Sequence, residues 1–163
     1  MTLLTFPDEQ RAYEEFLEQF SDGLPIVLPT AARVNALLAT VNRDPDSVLG
    51  SVMPGGTLAC VRDVAVNGVM AGLPPRAFAI ALTAVEAAID KAFNLNGVQS
   101  TTHNAAALII VSGQKADDAG MNSGANALGQ GNRANSTIGR TLRLVMTNIG
   151  RGIPGKTDMS VQG

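Results

Sequence analysis

The stretch LACVRDVAVNGVMAGLPPRAFAIALTAVEAAIDKAF, Leu58 to Phe93, decides the fold. It consists of two apolar runs parted by Gly72-Leu73-Pro74-Pro75, each longer than a buried strand and with few polar interruptions. Gly72 is placed to end a first helix, from about Leu58 to Ala71, and the proline pair to start a second that reaches about Phe93. The expected motif is an αα-hairpin over 58–93. Its most apolar part, Ala77 to Ile89, contains Glu86 and is shorter than the roughly 20 residues a bilayer requires.

Upstream, Pro7-Asp8-Glu9 opens a helix through Phe20, because proline fits a first turn and acids favour the positive helix end; Ser21-Asp22-Gly23 stops it. This N-terminal helix occupies 1–22 and the remaining core 23–163. Leu24 to Leu28 reads as a short β-type run, Thr30 as the cap of a helix to about Val41, and Asn42 to Pro54 as a turn-rich connection.

Downstream, the continuous apolar run near 107–112 suits a buried strand, and Lys115 to Asn132, rich in Gly, Asn and Ala, reads as a long loop. Ile138, Leu142, Val145, Met146 and Ile149 then fall on one face of a helix over 134–149, which Gly150 ends. There is no repeat and no long linker. The expected architecture is one domain over 1–163, α+β or α/β, rich in helix and poor in strands.

Composition bounds the function. With 163 residues and 45% hydrophobic content the chain can bury a core, whereas 16% charged residues leave much of a monomer surface without charge. Burial of part of that surface against other subunits is expected. A net charge of -2 gives no basic field, so neither nucleic acid nor an anionic membrane is an expected partner. Cys60, the single cysteine, forbids an internal disulfide and suits a reducing cytoplasm. The start, MTLLTFPDEQRAYEEF, lacks the basic and apolar regions of a signal peptide.

Two stretches concentrate chemistry. In GQGNRANSTIGR, Gly129 to Arg140, a glycine-rich loop enters a helix whose first turn carries hydroxyl and amide side chains. Free backbone N–H groups at a positive helix end form an anion cradle. Gly129, Gly131, Asn132, Asn135, Ser136, Thr137 and Arg140 are the candidate ligand groups, with Arg133 able to fork onto a carboxylate or phosphate. The plainer reading is a tight loop, a helix cap and arginines paired with carboxylates such as Asp117 or Glu86. Gly129-x-Gly131-x-x-Ala134 also fits a dinucleotide fingerprint, but no acidic residue ends a later strand, and no phosphate-binding GxxxxGK[ST] motif occurs.

In the second stretch, Thr101-Thr102-His103, the only histidine sits beside two hydroxyls at an expected loop–strand junction. It is a candidate acid or base, or else a structural histidine. No spacing of His and Cys supports a metal, and no cofactor is implied. Cys60, within an apolar helix, reads as inert; Asn67 and Glu86 require polar partners, either each other or an arginine of 129–140.

The strings DVAVNGVMAG (63–72), NLNGVQSTTHNAA (94–106) and GQGNRANSTIGRTLRLVMTNIG (129–150) resemble an uncharacterised bacterial family with a GNRANxTIGR block, associated with UGSC-type (seleno)proteins that carry Sec/Cys-Gly-Ser-Cys. The resemblance implies no reaction. It implies a grouping of Thr101, Thr102, His103, Asn132, Arg133, Asn135, Thr137 and Arg140. Members of that family continue past the position of Gly163 into a segment with a cysteine followed by Ala-Glu-Asn-Glu. A second polypeptide carrying that Cys/Glu segment is therefore an expected partner, with proteolytic maturation as a variant. The expected function is a subunit of a heteromeric lyase or hydrolase: loop and helix end hold a small anionic substrate, Arg133 and Arg140 neutralise it, and Thr102 and His103 position or transfer a proton. The alternative is a non-catalytic scaffold or regulatory subunit whose polar cluster is an interface network.

Overall fold

A computed structural model of the chain describes residues 8–161. Pro7 and the rest of the apolar start lie outside the described residues. α1 (Glu9–Phe20) begins at Asp8, whose carboxylate accepts the Arg11 backbone N–H at 2.7 Å, and ends at Ser21 in extended conformation. α2 (Ala31–Leu38) is capped by the Thr30 hydroxyl and buries Val34, Leu37 and Leu38. α3 (Val61–Ala71) stops at Gly72, which takes the left-handed conformation (φ +80°) that lacks a steric penalty only for glycine. A 3₁₀ turn over 75–77 leads into α4 (Phe78–Ile89), and the α3–α4 pair packs together as the expected hairpin.

α7 (Arg133–Asn148) is the spine of the structure. α3 and α4 both pack along it, and its periodic face, Ile138, Leu142, Val145 and Met146, is buried with Phe78, Leu82 and Val85 of α4. Met70 and Ala71 of α3 join Leu144 and Ile26 in a second, smaller apolar cluster, against which Tyr13, Phe16, Leu17 and Phe20 of α1 pack. Two antiparallel strands complete an α+β architecture, β1 (Val48–Val52) and β2 (Thr57–Cys60), with a register irregularity between Val48 and Gly50.

Several expectations need correction. Leu58 to Cys60 is strand rather than the first turn of α3, and the connection 42–54 contains β1; cross-strand pairing of Val52 with Thr57 and Ser51 with Leu58 outweighs local helix propensity. Leu24 to Leu28 is not a strand: it makes one backbone bond to α3, Val27 N–H to Met70 O, and buries Ile26 alone. Within 95–119 lie two short helices that apolar periodicity does not mark, α5 (Leu95–Ser100) and α6 (Gln114–Ala119), the first capped by the Asn94 side chain on Gly97 N–H at 3.3 Å.

The largest departure concerns 107–112. The segment has no regular secondary structure and pairs with no strand, and its burial alternates: Ala107, Ile109 and Val111 are partly covered, whereas Leu108 and Ile110 are 67% and 83% exposed. A run of apolar residues suits a strand covered on both faces, and here Ala107 and Ile109 pack against the core while Leu108 and Ile110 stay exposed. Among the described residues no helix is long and apolar enough to cross a membrane.

Candidate functional site

The loop entering α7 is clipped shut by its own asparagines. Asn132 caps the helix by accepting Asn135 N–H at 2.9 Å and donates to the Gly120 carbonyl at 2.9 Å. Asn135 works as a three-point clamp: its Oδ1 accepts Asn122 N–H at 3.0 Å, and its Nδ2 donates to the carbonyls of Asn122 at 2.8 Å and Ala127 at 2.9 Å. Asn126, in the left-handed region at φ +62°, donates to Gln130 O and accepts Gly129 N–H through its carbonyl. Gly131, at φ +106°, makes the final bend into the helix. Thr137 is buried and donates back to the Arg133 carbonyl at 2.6 Å.

Both arginines are engaged. Arg140 forks onto Asp22, Nε to Oδ2 at 2.8 Å and Nη2 to Oδ1 at 2.7 Å, and Nη2 also reaches the carbonyls of Leu24 and Pro25. This is the bidentate geometry in which arginine binds carboxylate best, and it ties the segment after α1 to the middle of α7. Arg133 Nε donates to the Gly72 carbonyl at 2.8 Å, satisfying the C-terminus of α3. Neither arginine pairs with Asp117 or Glu86: Glu86 meets Arg43 at 3.0 Å. Asn67 donates to Asp63 O and accepts from Asn148, not from Glu86. Of the candidate ligand groups on α7, the Arg133 Nη atoms, Arg140 Nη1 and the Ser136 hydroxyl make no hydrogen bond among the described residues, and Arg133 and Ser136 are exposed.

The Arg140 hydrogen bond and charge hold the Asp22 carboxyl below its ordinary value of 3.8. A depressed carboxylate pKa adds stability that is complete above the unfolded value and is lost as pH falls through the folded one. Acid titration of unfolding free energy should therefore show the wild type losing its advantage over Asp22→Asn as pH drops below about 4.

His103 stands elsewhere. It is exposed, its Nδ1 lies 3.2 Å from Thr101 Oγ1, and its backbone N–H donates to the same hydroxyl at 3.1 Å. Thr102 is exposed and makes no side-chain bond among the described residues. The Ser160 hydroxyl donates to the carbonyls of His103 and Ala105 and accepts Ala105 N–H. Two residues earlier, Asp158 pairs with Arg143 of α7. Arg143 is ten residues beyond Arg133, about 15 Å of helix. The structure thus groups Asn132, Asn135, Thr137 and Gly131 at one end of α7 and ties His103 and Thr101 to a segment anchored far along it.

Cys60 ends β2 rather than lying inside a helix, and its backbone N–H donates to Asp63 Oδ2 at 2.9 Å. Burial, followed by the Asp63 carboxylate, pushes its thiol pKa up, which disfavours the nucleophilic thiolate. No group of three or more His, Cys, Asp or Glu side chains fit to hold a metal occurs among the described residues. Comparisons with family models, curated proteins and solved structures give no match to this chain.

Proposed function

We infer that this chain is a non-catalytic subunit, and that the polar cluster of 129–140 fastens its own fold. The observation that carries this reading is the occupancy of the cluster. Arg140 is spent on Asp22, Arg133 Nε on Gly72, and Asn132, Asn135 and Thr137 on backbone groups of the adjoining loop and helix. A small anion needs preorganised donors that are free to face it, and opening these bonds would forfeit about 0.5–1.5 kcal/mol each. A cytoplasmic setting and assembly with a second polypeptide belong to the same reading, supported by the low charge and the lone cysteine.

A second reading, a shared active site on a lyase or hydrolase, has its own support. The unused end of Arg133 and the Ser136 hydroxyl sit at the positive end of a 16-residue helix, and exposed His103 carries the proton chemistry that a partner chain would complete. The two readings part on one experiment. In the complex purified from its host, His103→Ala and Arg133→Ala should leave turnover within about twofold of wild type at equal assembly, since loss of a proton-transfer group typically costs 100-fold or more. A loss of that size with assembly intact would establish the shared site instead.

A further inference from the structure

We draw no further inference here: the strongest candidate, the apolar channel between α4 and the segment 107–112 with exposed Leu108 and Ile110 on its wall, carries nothing because nothing in the structure shows what covers it.

Discussion

Replacing Gly150 by alanine is expected to destabilise the protein by about 3 kcal/mol, the upper end of what forced overpacking costs. A β-carbon there would lie 2.6 Å from the Met146 carbonyl oxygen, 2.7 Å from Val52 Cγ1 and 2.8 Å from the Met53 carbonyl oxygen. Two of the three obstacles are backbone, so no rotamer change relieves the clash. The same residue accepts the Gly55 N–H at 2.6 Å through its carbonyl, which docks the β1–β2 turn onto the end of α7. Movement of Gly150 would loosen that dock as well. Urea unfolding monitored by far-ultraviolet circular dichroism measures the loss; a midpoint like that of the wild type would show that the junction is slack.

Removing the charge of Arg143 has an effect of similar size for a different reason. Asp158 is 5% exposed and pairs with Arg143, and its backbone carbonyl accepts Gly155 N–H in the turn that carries the final segment back. Breaking a buried pair from one side leaves an uncompensated charge, at a cost of about 3–5 kcal/mol where burial is complete. Arg143 is partly exposed, so water recovers some of this, and Arg143→Leu should cost about 3 kcal/mol. The damage should also show locally: Ser160 would lose its place on His103 and Ala105, and the amides of 101–105 should exchange faster than those of α3. Arg143→Leu/Asp158→Leu, with both charges removed, should recover most of the stability; a double variant as unstable as the single one would mean that the pair is incidental.

How much of this was readable in the sequence depends on how local each cause is. α7 was legible because a period of 3.6 in Ile138, Leu142, Val145 and Met146 is a property of neighbours, as is the cap at Thr30. The hairpin of β1 and β2 was not, since its strands are short and hold each other by pairing rather than by propensity. The run 107–112 shows the limit of composition: apolarity marks residues that want cover, and cannot say whether this chain supplies it.

The candidate site divides in the same way. The concentration of hydrogen-bonding groups in 129–140 was visible, but their partners were not. Asp22 lies 118 residues from Arg140, and Gly72 lies 61 from Arg133. Asn122 and Ala127, which Asn135 clamps, sit in a stretch with no periodic signal. A donor-rich motif has the same appearance whether its donors face a ligand or face the fold, and only the acceptors at those positions distinguish the two.

The most direct measurement is a titration of the isotopically labelled chain with phosphate, sulfate and small dicarboxylates, following the backbone amides of 129–140 and the arginine Nε–H signals by NMR. If the cluster fastens the fold, these signals stay in place to millimolar anion, and the Nε–H protons of Arg133 and Arg140 remain slow to exchange. Saturable shifts confined to Gly131, Arg133 and Ser136 would contradict that account and give this end of α7 back to a substrate.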